Sequence, residues 1–316
     1  MALKIGYVGL GALGSAIAPN VAAFAHENGL EPVVFWNRSE NKFTAIKDQL
    51  NGGRYASDLA DVVKDCNLVL ACLANDQACE EVFGAMAEAL KTSNSSEKVV
   101  FVNQSTIKPI TANKLKDQIE EAGGSYLTGT VFGRPDAAKA RKLVVALAGD
   151  KATKDKVKPL MEFIGRYTLD AGQDCANGAA LKLMGNSIIL GTMQLYSEAY
   201  ALGDAIGMDP KVFHELHSTL FNSPVLLPYS DKISQGKFGH AGFTVENGLK
   251  DATYILSMGE ELGHPVNLPT IERARNNLST LKDEGLGHFD WSSIASTERK
   301  NAGLPPWREG TNDGKA

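Results

Sequence analysis

Three glycines, Gly9, Gly11 and Gly14, stand in G-x-G-x-x-G spacing within the run VGLGALGS. Each has a separate task in phosphate chemistry. Gly9 permits a tight turn, Gly11 lets backbone approach a pyrophosphate, and Gly14 lets a helix pack close to a strand. The run follows an apolar stretch, Lys4–Val8, and opens a helical one, Ala12–Glu27. In that setting the backbone of Gly9, Leu10, Gly11, Ala12, Leu13 and Gly14 is expected to cradle a dinucleotide at a helix N-terminus. A tight turn that binds nothing is the bland alternative. Roughly twenty residues on, where an NAD site would carry Asp or Glu for the ribose 2′-hydroxyl, the chain reads Asn37-Arg38-Ser39. A guanidinium with a neighbouring hydroxyl suits a 2′-phosphate. NADP is therefore favoured over NAD, against the reading of a polar turn that merely contains an arginine.

The third group sits in NGAALKLMGN. Lys182 and Asn186 are four apart, so they share a helix face, with Gly178 one turn earlier. A lysine in an apolar helix must reach water, find a partner or have its charge destabilised. Two readings stand: a general acid with a depressed pKa, and a snorkelling stem that carries its ammonium to solvent.

These groups need a scaffold, and the hydropathy pattern supplies one. Lys4–Val8, Pro32–Trp36, Leu68–Leu73 and Lys98–Asn103 are short apolar runs without polar alternation, separated by helical stretches. Strands apolar on both faces belong in a helix-covered parallel sheet. Tyr126–Val131 and Lys142–Ala148 extend that sheet. From Asn177 to about Gly207 the chain has no proline and is apolar on nearly every face, which predicts a long helix buried all round. Helical pattern continues through Pro210–Leu220, Leu227–Gln235, Thr244–Leu262 and Pro269–Glu284. The expected fold is α/β: an N-terminal Rossmann-type doubly wound parallel sheet over 1–173, then an all-α domain over 174–302 entered by the long helix. A polar, flexible tail is expected over 303–316.

Composition narrows the function classes. With 316 residues the chain has room for two domains and a core without disulfides. A net charge of −5, with no cluster of Lys and Arg, argues against nucleic acid as a partner. No apolar run is long enough for a bilayer, and no secretory signal pattern opens the chain, so a cytoplasmic enzyme free of membrane partners is expected. The four cysteines lack CxxC spacing and read as buried thiols. His214 and His217, i and i+3 with no third ligand, read as helix-surface residues, and no metal is expected. His240 is a candidate substrate contact.

The ordered series VGLGALG, NRS, Ser105-Thr106, TVFGRP, the GxxxKxxxN of Gly178, Lys182 and Asn186, and Phe243 with Lys250-Asp251 resembles the β-hydroxyacid dehydrogenase family. That family takes in 3-hydroxyisobutyrate dehydrogenases, glyoxylate/succinic semialdehyde reductases and, as relatives, imine reductases. The resemblance runs over nearly the whole chain. It implies that Lys182 exchanges the proton with the substrate oxygen and that Asn186 holds substrate and lysine in register. It further implies that Ser105 and Thr106 lie beside the nicotinamide ribose, that Leu73, Ala74 and Asn75 line the adenosine and ribose, and that Lys250 closes over the cofactor. Family members usually dimerise through the helical domain, so a homodimer is expected. The 6-phosphogluconate dehydrogenases, also related, carry a much longer helical domain.

One segment departs from the family. Where a D-A-P-V-S-G-G-like segment usually binds the substrate carboxylate, this chain reads Thr128-Gly129-Thr130-Val131-Phe132-Gly133-Arg134. Phe132 cannot donate a hydrogen bond, and Arg134 either restores the charge or points to solvent. Phe132, Gly133 and Arg134 thus remain substrate-site candidates with an open substrate. Imine reductases tend to carry Asp or Tyr at the lysine position, so Lys182 favours NADP-dependent reduction of a small aldehyde or keto compound, or oxidation of the matching alcohol. NADPH-dependent imine reduction or reductive amination is the alternative. A non-catalytic NADP-binding module is the reading from another class, and in it a proton donor would be idle.

Overall fold

The computed structural model describes residues 3–92 and 98–309. Its strands are β1 (Ile5–Val8), β2 (Val34–Trp36), β3 (Arg54–Tyr55), β4 (Leu68–Ala71), β5 (Val100–Asn103), β6 (Ser125–Phe132), β7 (Leu143–Ala148) and β8 (Gly165–Asp170). They form one sheet in the order β3-β2-β1-β4-β5-β6-β7-β8. Every neighbouring pair is parallel except β6 with β7. The order reverses direction between β1 and β4, the switch point at which open α/β sheets bind ligands.

The absence of polar alternation in the strands has its cause in two buried faces. Along β4, Leu68 and Leu70 join a core with α1 (Gly14–Glu27), while Val69 and Ala71 join another on the opposite side. The short α2 (Asn41–Thr44) follows β2, and α3 (Leu59–Asp65), α4 (Asp76–Thr92) and α5 (Pro109–Glu121) cover the second face. The α6 (Pro135–Lys139) and α7 (Lys151–Ile164) helices join α1 on the first face. Helices on both faces make the sheet doubly wound, as the hydropathy pattern requires. Two strands escaped the pattern. β3 is two residues long, and β8, GRYTLD, is largely exposed at the sheet edge, where polar residues are tolerated.

The helical part comprises α8 (Cys175–Ala205), α9 (Pro210–Leu220), α10 (Leu227–Gln235), α11 (Val245–Glu261), α12 (Pro269–Asp283) and α13 (Ile294–Asn301). By contacts the chain divides into Met1–Lys182 and Leu183–Ala316, inside α8 rather than at its start. The expected burial of α8 on all sides does not hold. Leu183, Leu190, Met193 and Tyr200 are in the core of the second unit, whereas Met184, Ile188, Leu195, Leu202 and Ile206 are exposed, Ile188 at 67% and Leu202 at 66%. Their spacing of four and seven residues makes one stripe. His217 is also corrected. It is buried, its Nε2 meets the Tyr196 hydroxyl, and its ring stacks on Phe221, so it belongs to the packing of α9 on α8.

The tail expected from 303 is packed at Trp307 and Arg308. Trp307 lies against Phe238 and Phe289, and the Arg308 guanidinium pairs with Asp204 and donates to the Ile233 and Ser234 carbonyls at the end of α10. A planar five-donor group can satisfy helix-end carbonyls and a carboxylate together. Residues 310–316 lie outside the described residues. Among the described residues no helix is long and apolar enough to cross a membrane.

The second unit is clamped by a buried carboxylate. Glu298 Oε1 accepts from Gln194 on α8 at 2.6 Å and from Asn277 on α12 at 2.6 Å, and Arg273 grips both oxygens at 2.9 and 2.7 Å. Burial by itself pushes this carboxyl up, but donation from Arg273, Gln194, Asn277 and Asn301 outweighs it and holds the group at about 2, below the ordinary 4.5. A depressed carboxylate stabilises the fold above its unfolded pKa, and the stabilisation is lost as pH falls through the folded one. Glu298→Gln should therefore be less stable at pH 7 by on the order of 3 kcal/mol. Urea unfolding of both proteins should show that gap narrowing as pH drops from 4.5 toward 2. A gap that does not change with pH would exclude the carboxylate's charge as its cause.

Candidate active site

Because β1, β2, β4, β5 and β6 run parallel, their C-terminal ends line one edge of the sheet. The glycine turn, Asn37–Ser39, Leu73–Asn75, Ser105–Thr106 and Phe132–Arg134 lie at or just past those ends, so the sheet brings these sequence candidates together. Gly9 runs at φ +95, and a Cβ there would lie 2.3 Å from the Cys72 carbonyl oxygen. A Cβ on Gly14 would lie 2.1 Å from the Gly9 carbonyl oxygen. Both glycines are thus demanded by the protein's own backbone. Gly11 differs, since a Cβ there would meet nothing within 4 Å. Its missing side chain leaves open room over the turn.

The turn is braced from β2. Gly9 N donates to the Trp36 carbonyl at 2.9 Å, and Leu10 N donates to Asn37 Oδ1 at 2.8 Å. Asn37 Nδ2 in turn donates to the Ser39 carbonyl, and the Tyr55 hydroxyl to the Asn37 carbonyl. Leu10 and Asn37, both candidates for contact with a cofactor, thus also frame the loop. Arg38 and Ser39 project, exposed, from it. Helix α1 then begins with no side-chain cap at Leu13 and no acid in its first turn. Its positive dipole end is left for an anion. Open room at Gly11, an uncapped helix start and an exposed Arg38 fit a dinucleotide.

The neighbouring turns are tied together. Asn103 Oδ1 accepts from Ser105 N at 2.9 Å, and the Ser105 hydroxyl accepts from Leu73 N at 2.8 Å. Asn75 Oδ1 accepts from Ala78 N at the start of α4. Ala74 is exposed between them, and Thr106 is half-buried beside Ser105.

Lys182 is delivered to this edge by how α8 meets β6. The Thr128 hydroxyl donates to the Cys175 carbonyl at 2.8 Å, and the Thr130 hydroxyl donates to the Gly178 carbonyl at 2.9 Å. The helix comes so close that a Cβ on Gly178 would lie 2.2 Å from Thr128 Oγ1. One step further, Lys182 Nζ stands 4.5 Å from the centroid of the Phe132 ring. Steps of two along the strand therefore match steps of three and four along the helix. Lys182 is half-buried, with its ammonium over an aromatic face. Arg134 begins α6 and pairs with Asp136 at 3.6 Å. Gly133, between Phe132 and Arg134, is exposed.

Asn186, four residues beyond Lys182 on α8, is buried, and its Nδ2 donates to Asp251 Oδ2 at 2.7 Å. Lys250 Nζ lies 3.1 Å from Asp251 Oδ1 and 5.1 Å from the Tyr254 ring. Asp251, fully buried on α11, was not among the sequence candidates. An acid on a helix face otherwise made of Gly248, Ala252 and Ile255 was the available signal. His240 is exposed in the loop after α10, where its carbonyl accepts from Lys232. Among the described residues no group of three His, Cys, Asp or Glu is arranged to hold a metal.

Residues 4–178 match the model of the NAD-binding domain of 6-phosphogluconate dehydrogenase, and residues 176–297 match that of the NAD-binding region of NADP-dependent 3-hydroxyisobutyrate dehydrogenase. The chain is 30% identical to the uncharacterized oxidoreductase YfjR of Bacillus subtilis over 92% of its own length and 98% of that protein. It is 26% identical to glyoxylate/succinic semialdehyde reductase 1 of Arabidopsis thaliana, over 92% and 97% of the two chains. In fold it is similar to 3-hydroxyisobutyrate dehydrogenase from Mycobacterium tuberculosis, with a TM-score of 0.81 at 18% identity over 95% of this chain and 100% of that one.

Proposed function

Since the chain belongs to the β-hydroxyacid dehydrogenase family of nicotinamide-dependent oxidoreductases, we propose that it is an NADP-dependent reductase of small aldehydes or ketones with Lys182 as general acid. The observation that carries this reading is the Lys182 ammonium held over Phe132, at the sheet edge that also bears the glycine turn, Ser105 and Thr106. When bound, the nicotinamide supplies or accepts the hydride. Lys182 gives its Nζ proton to the carbonyl oxygen during reduction and takes it back from the alcohol during oxidation. An ammonium is suited to both the charge and the proton that a nascent alkoxide needs. Asn186, its Nδ2 donating to Asp251, is the candidate to hold substrate and lysine in register. Asp251 orients the Asn186 amide and also holds Lys250, the candidate for closing over the cofactor.

On this reading residues 1–173 bind NADP, and 174–302 complete the substrate site and assemble the homodimer. The exposed stripe Met184, Ile188, Leu195, Leu202 and Ile206 supports the last point, because contiguous apolar surface of this kind marks an interface. An imine reductase is the second reading, favoured by the hydroxyl missing at Phe132.

Three measurements bear on these statements. Lys182→Met keeps the stem volume and should leave the NADPH dissociation constant within about twofold while slowing aldehyde reduction roughly 10²–10⁴-fold. Turnover at the unmutated rate would remove Lys182 from the mechanism and leave imine reduction or a binding role. For the cofactor, NADPH should bind more tightly than NADH, and Arg38→Asp should weaken NADPH by about 2–4 kcal/mol; equal affinities in the unmutated protein would overturn the preference. Sedimentation at micromolar concentration should show twice the 33.8 kDa chain mass, and Ile188→Arg with Leu202→Arg should return single chains. A single-chain particle without those changes would rule out the dimer.

A further inference from the structure

We propose that Phe132 is a specificity-determining residue that turns the site toward uncharged carbonyl compounds and away from their carboxylate-bearing counterparts. This rests on the reading of Lys182 as proton donor and names the substrate class for it.

The reasoning begins with what the C-terminal end of β6 offers an anion. On the strand face that meets α8, two hydroxyls are already committed, Thr128 to the Cys175 carbonyl and Thr130 to the Gly178 carbonyl. The next side chain on that face is Phe132, which donates no hydrogen bond. The negative face of its ring attracts the Lys182 ammonium at 4.5 Å and by the same quadrupole repels a carboxylate laid on it. Beyond the strand, the Arg134 guanidinium is paired with Asp136. Helix α6 opens with Pro135, which has no N–H, and carries Asp136 in its first turn. Both features weaken a helix N-terminus as an anion cradle.

A substrate carboxylate at this edge therefore meets Lys182 as its partner. Pairing with the ammonium holds the proton donor away from the carbonyl oxygen that needs it. A neutral aldehyde or ketone has a single strong acceptor, its carbonyl oxygen, and can lay an alkyl or aryl substituent on the ring. The substrate class that fits is a small carbonyl compound with an apolar substituent and no charge.

The test uses the full-length protein with NADPH and matched substrates: 4-oxobutanoate against its methyl ester, and pyruvate against butane-2,3-dione. The neutral member of each pair should have a kcat/KM higher by about tenfold or more, equivalent to about 1.4 kcal/mol. Phe132→Ser should shift that ratio toward the carboxylate, chiefly through KM, with the NADPH dissociation constant unchanged. Phe132→Leu, which keeps the apolar bulk, should retain the neutral preference, and it decides the matter should the serine variant fail to fold. A carboxylate preference in the unmutated protein overturns the proposal while leaving carbonyl reduction intact. A neutral preference unaltered in the variants overturns the role of Phe132. Absence of turnover with every member of both pairs overturns carbonyl reduction itself, and the proposal with it.

Discussion

The contact on which the site depends is the close docking of the first turns of α8 along β6. Thr128 and Thr130 donate to helix carbonyls at Cys175 and Gly178, and the missing Cβ of Gly178 allows that approach. A carbonyl within an α-helix can accept a second hydrogen bond, so the strand hydroxyls pin the helix without breaking its ladder. The pinning fixes two quantities, the rotation of α8 about its axis and its position along the strand. Lys182 follows from both. A helix turned by one residue would move the ammonium by about 100° away from Phe132.

The nucleotide side of the edge is governed by a different constraint, the crowding of backbone around the first turn. Gly9 and Gly14 are required because carbonyl oxygens occupy the space a side chain would need. The bond between Leu10 and Asn37 then stiffens the turn from below. What remains toward solvent is the room at Gly11, the uncapped start of α1 and the exposed Arg38. A rigid frame with its polar groups already aimed loses little entropy on binding an anion.

In the second unit, two of the buried carboxylates tie helices together, and each is compensated. Glu298 joins α8, α12 and α13 through Gln194, Asn277 and Arg273, and Asp251 joins α8 and α11 through Asn186. A buried carboxylate is costly when unpaired, so each of these networks penalises any shift of its helices. The apolar stripe of α8 lies on the surface of this braced unit, a firm face for association.

The sheet, the order of its main strands and helices along the chain, the glycine turn and the place of Lys182 and Asn186 on one long helix were legible in the sequence, because each rests on local periodicity or on short motif spacing. β3 and β8 were not, since edge strands need little hydrophobic patterning. The burial of α8 was misjudged because composition reports how apolar a helix is, not which side has a neighbour; tertiary packing left Ile188 and Leu202 outside. His217 and the tail through Arg308 were likewise decided by partners far along the chain, Tyr196 and Asp204. The bond that ties Asp251 to Asn186 spans sixty-five residues, and folding alone makes it. Elements carried by residues close in sequence could be read directly, whereas contacts between residues that meet only after folding awaited the structure, because long-range contacts leave no period in the chain.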